Sequence, residues 1–407
     1  MLRSIGDRLF LAFATLYIFI AVNREISLFG VELRYLLMGL GSVCLIFSLR
    51  DLAHIRSRHL SALEKCLFAY FALIALSSFM LPISPLEIDW TGVINLAVVH
   101  ALNLLAVVLA VIHRDLLRLR WVAKGICVSG LVLGMSQAAV YAGIDVSLFL
   151  QDGNVRVIAA DKGQHEHINL FGQLFRVSGF AEDPNYACLF NMIAIAMALL
   201  LVREDRLLAS AAIAFSLFGI AVAWSRTVVF GSLLVAGLIW IAFRLARSKL
   251  SLLTAFPLLV AVVALLLPFL HIEVLQTMTT RYTLWLNAAD LFVQSPLLGN
   301  GLTAFRSYNA LEQNGWYVHP HSSLWETLAE FGAVAFVLLI AIYILALREA
   351  QGHAVVAFCI AMTVLFSVNF DATYLQIWIV VFAFLPLAAK QEPQAPYALR
   401  RRLRCAA

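Results

Sequence analysis

The chain consists largely of apolar runs of roughly twenty residues, separated by shorter segments that carry most of its charge. A run of that length is what a helix needs to cross a bilayer. Hydrophobic residues make up 62% of the 407 residues and charged residues only 13%, whereas soluble domains contain about 45–50% and about 25%. A water-soluble enzyme, a disordered chain and a disulfide scaffold are therefore excluded, and the sequence predicts a polytopic membrane protein.

The predicted fold class is all-α, with about 12 transmembrane helices. The approximate bounds of the predicted spans are 8–23, 33–49, 63–82, 93–113, 121–142, 184–202, 207–224, 228–246, 252–270, 333–347, 353–368 and 373–389. Spans one to nine occupy residues 1–270, with an outer loop at about 143–183. A larger, partly helical loop follows at 271–332, spans ten to twelve occupy 333–389, and a basic tail occupies 390–407.

The distribution of basic residues predicts the orientation of these spans. About 21 of the 29 Lys and Arg residues lie on the side that holds both termini. Because loops rich in Lys and Arg stay in the cytoplasm, both termini are predicted to be cytoplasmic. The two long loops then lie on the outer side of the membrane.

The loop at 271–332 contains two predicted helices. One covers 280–295, where apolar residues follow helical spacing at Leu284, Ala288, Leu291 and Phe292. The other starts at Ser323, which forms a capping box with Glu326, and Gly332 suits its far end. Such amphipathic loop helices are expected along the membrane surface.

His321 precedes that second helix and is a candidate general base. The positive end of a helix disfavours an imidazolium, so the ring is expected to stay neutral, as a base requires. The alternative is that His319 and His321 only flank Pro320 in a solvated turn.

Three outer arginines, Arg176, Arg226 and Arg281, are candidate anion ligands. Arginine keeps its charge and binds phosphate oxygens through a planar fork. If the three converge beside the bilayer, they form a clamp for a lipid-linked pyrophosphate without a metal. The alternative is that each lies among lipid headgroups or pairs with an acidic neighbour.

Other chemistries have weaker signals. Glu87 with Asp89, or Glu182 with Asp183, offers a carboxylate pair for Mg²⁺ or Mn²⁺. Asp183-Pro184 fits the start of span six better. No nucleotide-binding loop is present in the sequence, and no cofactor and no nucleic-acid partner are predicted. A twelve-span transporter or flippase remains an alternative, although no internal repeat is visible.

Four segments together resemble the O-antigen ligase family of the lipopolysaccharide pathway, within a wider group that includes O-antigen polymerases and O-oligosaccharyltransferases. They are RVSGFAEDPNYA, WSRTVVFGSLL, RYTLWLNAADLFVQSPLLGNGLTAF and HSSLWETLAEFG, which place Arg176, Arg226, Arg281 and His321 respectively. The resemblance covers about 180–332. One departure is Ser322, because the family histidine is commonly followed by Asn.

The resemblance implies a GT-C-like glycosyltransferase of the Gram-negative inner membrane, with its active site in a periplasmic loop at 271–332. It implies transfer of O-antigen glycan from undecaprenyl pyrophosphate to a hydroxyl of lipid A-core, without metal or nucleotide and with inversion. Arg226 and Arg281 would stabilise the pyrophosphate, Arg176 would add a contact to phosphate or acceptor, and His321 would accept the hydroxyl proton. A polymerase or a protein O-oligosaccharyltransferase would use the same donor, and a metal-dependent transferase would use Glu87 and Asp89.

Overall fold

The structure is a computed structural model that describes residues 2–23, 26–28, 31–55, 59–78, 90–144, 146, 157–159, 170–171, 175–181, 183–244, 249–269, 279–312, 320–350, 352–368 and 376–392. Within these residues the chain is mostly helical, as predicted. The carboxylates Glu87, Asp89 and Glu182 and the side chain of His319 lie outside the described residues.

The helices follow the predicted spans closely. They are α1 Leu2–Val22, α2 Leu33–Ile55, α3 Ala62–Ser78, α4 Trp90–Ile112, α5 Leu119–Tyr141, α6 Pro184–Leu201, α7 Arg206–Ala223, α8 Arg226–Arg244, α9 Lys249–Leu266, α10 Thr279–Gln294, α11 Ala304–Glu312, α12 Ser323–Glu326, α13 Gly332–Glu349, α14 Ala354–Phe366, α15 Gln376–Ile379 and α16 Leu385–Gln391. Two π-helical turns, Thr327–Phe331 and Val380–Phe384, connect α12 to α13 and α15 to α16.

Six helical stretches among the described residues are long and apolar enough to cross a membrane. They are Ile5–Val22, Val93–Ile112, Leu119–Tyr141, Pro184–Leu201, Arg206–Ala223 and Ser323–Glu349. Several shorter apolar helices accompany them. This confirms a multi-pass membrane protein, while the count of about 12 crossings and the GT-C-like arrangement stay predictions.

Two short antiparallel hairpins add strands to the predicted all-helical fold. In the first, β1 Ser27–Leu28 pairs with β2 Val31–Glu32. In the second, β3 Val157–Ala159 pairs with β4 Phe175–Val177, and Ile158 lies opposite Arg176. Aromatic and β-branched residues favour extended backbone, and the pairing satisfies the backbone hydrogen-bonding groups of the strands. The second hairpin holds one of the predicted site residues.

The helices α5, α6 and α7 pack together at close range through small residues. At Gly130 a side chain would overlap the Cβ of Ala194, and at Gly134 it would approach the Phe215 carbonyl oxygen to 2.6 Å. In a membrane, where lipid is as apolar as the helix surfaces, close backbone approach supplies much of the packing energy. This group of helices forms the support beneath β4.

The short helix predicted to start at Ser323 differs in two respects from the prediction. Its N-cap is Ser322, whose hydroxyl accepts a hydrogen bond from the Trp325 amide at 3.5 Å, so Ser323 and Glu326 do not form the capping box. Residues 322–332 are also all buried, so this helix lies inside the protein and not along the membrane surface. The short helix contacts α9 and α10, and the π-helical turn that follows it contacts α10 and α11.

Candidate functional site

Arg176 lies on β4 and is held by two hydrogen bonds, one at the start of α6 and one at the end of α7. Its Nε donates to the Ala223 carbonyl at 2.5 Å, and its Nη2 donates to Asn185 Oδ1 at 2.8 Å. Ala223 ends α7, where carbonyl oxygens lack helical partners and favour a cation. A guanidinium has five N–H donors, and these two bonds, the ones it makes among the described residues, fix its plane.

Arg226 and Arg281 both lie within electrostatic range of Arg176. Burial is the main cause that lowers the pKa of the Arg176 guanidinium, and the Asp183 carboxylate opposes that effect. The charges of Arg226 and Arg281 lower this pKa further. Because the interaction of charges weakens with distance and screening, Arg226 and Arg281 are each near enough for their charges to act on Arg176. Tertiary packing therefore brings Arg281 within range of Arg176, although the two residues are 105 positions apart in the sequence.

Arg226 and Arg281 each lie at the start of a helix. Trp224 adopts a left-handed conformation with φ of 32° at the end of α7, which turns the chain so that α8 begins at Arg226. Arg226 is exposed there. Arg281 is half-buried in the first turn of α10. Both side chains thus lie at positive helix ends, which together with the guanidinium charges favour an anion.

The backbone just before His321 is fixed to α10 by a hydrogen bond. Trp285, one helical turn after Arg281 on the same face, donates its indole N–H to the Pro320 carbonyl at 3.0 Å. His321 follows directly, half-buried and with a φ of 51°. A left-handed non-glycine residue is strained, and such strain is common at functional sites. The imidazole therefore leaves the chain at a turn that α10 holds in place.

The structure explains why Ser322 can stand where the family commonly has Asn after the histidine. It is the N-cap of α12, and the amide of the next residue, Ser323, donates to the Ser367 carbonyl at 2.9 Å. Asn and Ser are about equally good N-caps. Replacement of the usual Asn by Ser therefore keeps the helix start that follows the histidine.

The Pro-x-x-Gly-x-Gly segment after α10 docks onto the π-helical turn after α12. The Asn300 amide donates to the Ala329 carbonyl at 3.3 Å, and the Gly301 amide donates to the Glu330 carbonyl at 2.9 Å. Gly299 has a φ of 76°, and a Cβ there would overlap the backbone of Glu330. Gly299 and Gly301 permit a backbone-to-backbone contact that joins the end of α10, the helix of Arg281, to the segment that follows His321.

Glu330 holds the start of α11 by its side chain. Its Oε1 accepts a hydrogen bond from the Phe305 amide at 3.3 Å, in the first turn of α11. Thr303, just before that helix, has a φ of 65°. The first amides of a helix have no partner within the helix, so an acceptor at this place stabilises the helix start. Glu330 therefore has a positioning role that spacing alone did not indicate.

We expect Gly299→Ala to weaken this docked arrangement. A left-handed alanine costs about 1–2 kcal/mol, and overlap with the Glu330 backbone adds to that. The thermal midpoint of the purified protein should fall, and protease cleavage between α10 and α12 should become faster. The matched control is Gly237→Ala, because nothing lies within 4 Å of a Cβ there. An unchanged midpoint for Gly299→Ala would contradict the tight contact.

Two residues of the site had no predicted role. Asn185 belongs to the quoted Pro-Asn pair, and the structure shows that it orients Arg176. Trp285 lies in the third quoted segment, and the structure shows that its indole N–H holds the backbone just before His321. Asp183, in contrast, caps α6 by accepting from the Asn185 amide at 2.6 Å, with Pro184 in the first turn, as predicted. Asn185 pairs with a residue 9 positions away and Trp285 with one 35 positions away, so neither pairing follows from a helix or capping pattern.

The sequence comparisons agree with the resemblance seen in the motifs. Residues 190–340 match the family model described as O-antigen ligase. The matched region contains Arg226, Arg281 and His321, while Arg176 precedes it. No curated protein matches the chain.

Proposed function

We propose that the chain is an O-antigen ligase, because residues 190–340 match the family model described as O-antigen ligase. In this proposal it transfers O-antigen glycan from undecaprenyl pyrophosphate to a hydroxyl of lipid A-core. The family supports ligase-type or polymerase-type glycosyl transfer on a lipid-linked donor. The choice of lipid A-core as acceptor is the finer part of the proposal.

The observation that supports the proposal is the hydrogen-bonded placement of Arg176 on β4, together with the charges of Arg226 and Arg281 that act on it. Three permanent positive charges repel one another, so such a cluster is stabilised when an anion binds between them. A pyrophosphate presents several oxygens for bidentate hydrogen bonds. Donors fixed in advance at the place where charge develops lower the barrier of the reaction.

The proposed reaction is a direct displacement at the anomeric carbon. The acceptor hydroxyl oxygen forms a bond to that carbon, and its proton passes to His321. The bond between the carbon and the phosphate oxygen breaks, and its electron pair leaves with undecaprenyl pyrophosphate. Arg226 and Arg281 stabilise the charge that develops on this leaving group, and Arg176 adds a phosphate contact. Attack from the face opposite to the leaving group inverts the anomeric configuration.

The proposal retains the predicted topology and division of the chain. Residues 1–270 and 333–389 supply about 12 crossings, 271–332 is the periplasmic catalytic loop, and 390–407 is a cytoplasmic tail. Both termini are then cytoplasmic, and the site faces the periplasm of a Gram-negative inner membrane. The helices at 279–294, 304–312 and 323–326 are consistent with a partly helical loop.

We expect purified protein to join the two substrates in EDTA. The assay uses liposomes that contain undecaprenyl pyrophosphate-linked glycan and lipid A-core, and the products are separated by gel electrophoresis. Glycan on lipid A-core would support the ligase. Longer lipid-linked chains in place of that product would favour the polymerase. Activity only after Mn²⁺ is added would overturn the arginine mechanism in favour of Glu87 and Asp89.

A further inference from the structure

A buried amide network lies directly beneath Arg176 and includes Gln137 of α5, which precedes the matched family region. Gln137 Nε2 donates to the Val177 carbonyl at 3.0 Å and to the Gly219 carbonyl at 3.4 Å. Its Oε1 accepts from Asn191 Nδ2 at 2.8 Å. One fully buried side chain thus connects β4, α6 and α7.

The two carbonyl contacts of Gln137 set the position of β4 on the end of α7. Val177 follows Arg176 directly in the strand. Gly219 lies four residues before Ala223 on the same face of α7, and Ala223 is the residue that accepts the Arg176 Nε–H. Gln137 and Arg176 therefore bind neighbouring turns of one helix. A shift of β4 would break the contacts of both side chains together.

The surroundings leave little freedom for this network to rearrange. A Cβ at Gly219 would overlap both Gln137 Oε1 and Asn191 Nδ2. Ser136, the neighbour of Gln137, accepts a hydrogen bond from the Phe180 amide at 3.1 Å, in the segment that follows β4. A Cβ at Gly179 would overlap the Ser136 hydroxyl. Ser136 and Gln137, adjacent residues of α5, therefore fix the backbone of β4 and of the segment that follows it.

We propose that Gln137, together with Ser136, is a positioning residue that holds the Arg176 guanidinium in place to bind the pyrophosphate of the donor lipid. This inference rests on the proposed function, because that function supplies the ligand. Gln137 itself touches no substrate. Its effect passes through Val177 and the end of α7 to Arg176, since fixed donors bind an anion more tightly than mobile ones.

The test measures the affinity of purified protein for undecaprenyl pyrophosphate in a double-mutant cycle. Gln137→Met keeps the length of the side chain but removes its donors to Val177 and Gly219. We expect it to weaken binding about ten-fold when Arg176 is present and less than about two-fold in the Arg176→Ala background. Equal loss in both backgrounds, or no loss in either, would overturn the inference.

A matched control separates positioning from general damage to the membrane core. Asn103 of α4 is also fully buried and accepts a hydrogen bond from the Tyr17 hydroxyl at 2.7 Å. Asn103→Met removes a comparable buried contact far from the arginines along the chain, and it should leave the affinity unchanged. A loss equal to that of Gln137→Met would show that any buried amide has the same effect, which would contradict positioning.

A milder variant covers the case in which Gln137→Met does not fold. Ser136→Ala removes only the hydroxyl that accepts the Phe180 amide, and it should weaken binding about three-fold with the same dependence on Arg176. Binding is measured separately from transfer, so the two proposals fail separately. If the effects of the Gln137 and Arg176 substitutions on binding are coupled but no glycan is transferred, the ligase is overturned and the positioning role is kept. If glycan is transferred but the two effects on binding are additive, the positioning role is overturned and the ligase is kept.

Discussion

Arg281→Ala is expected to reduce glycan transfer by on the order of 10²–10³-fold, the usual effect of removing one donor to a developing charge. The side chain lies in the first turn of α10 and acts electrostatically on Arg176. Arg281→Ala removes one of the three guanidinium charges that stabilise the leaving group as it becomes negative. Initial rates in liposomes, together with the thermal midpoint of the purified variant, measure this effect.

Arg281→Lys tests whether shape matters in addition to charge. Lysine keeps the charge but lacks the planar fork, so we expect most of the activity to be lost. Arg34 offers a matched control, because it is predicted to lie on the same side of the membrane and its guanidinium lies 5.3 Å from the Tyr35 ring centroid. Arg34→Ala should transfer at the normal rate. Full activity of Arg281→Ala would remove this residue from the mechanism.

His321→Asn is expected to reduce transfer by about 10²–10⁴-fold, the range for loss of a general base. Asparagine is the informative replacement because His321 has a φ of 51°. Asn tolerates the left-handed region, whereas Ala is strained there. The variant thus removes the base and keeps the turn. Pre-steady-state transfer, measured with bound donor, reports the chemical step.

Two further observations separate a base from a structural histidine. His353→Asn, a substitution at the N-cap of α14, should keep the normal rate, since Asn is a good N-cap. Donor affinity should be unchanged in His321→Asn, because the arginines bind the pyrophosphate. If His321→Asn transfers glycan as fast as the unmodified protein, His321 is not the base. A lost affinity for donor would instead indicate collapse of the site.

Much of the secondary structure could be predicted because its causes are local. The length of each apolar run matches the bilayer, and the helices follow those runs. The stripe of Leu284, Ala288 and Leu291 is buried, as its helical spacing predicted. Asp183 and Pro184 begin α6 because capping involves neighbouring residues only.

The start of α12 shows where local patterns reach their limit. Ser322 and Ser323 are both acceptable N-caps by type, and the spacing to Glu326 favoured the second. The choice of Ser322 follows from the left-handed turn at His321 and from the contact of the Ser323 amide with Ser367. Residues 44 positions further along the chain therefore set this helix start.

The sequence by itself determined the membrane class, the helices and the four residues that its motifs single out: Arg176, Arg226, Arg281 and His321. Only the tertiary structure decided that the charges of Arg226 and Arg281 act on Arg176, that Asn185 orients Arg176 and that Gln137 holds the strand beneath it. Bilayer thickness and helical periodicity act along a short stretch of chain, so composition records them. Contacts among β4, α5 and α7 depend on helix packing between distant segments, which spacing in one sequence does not specify.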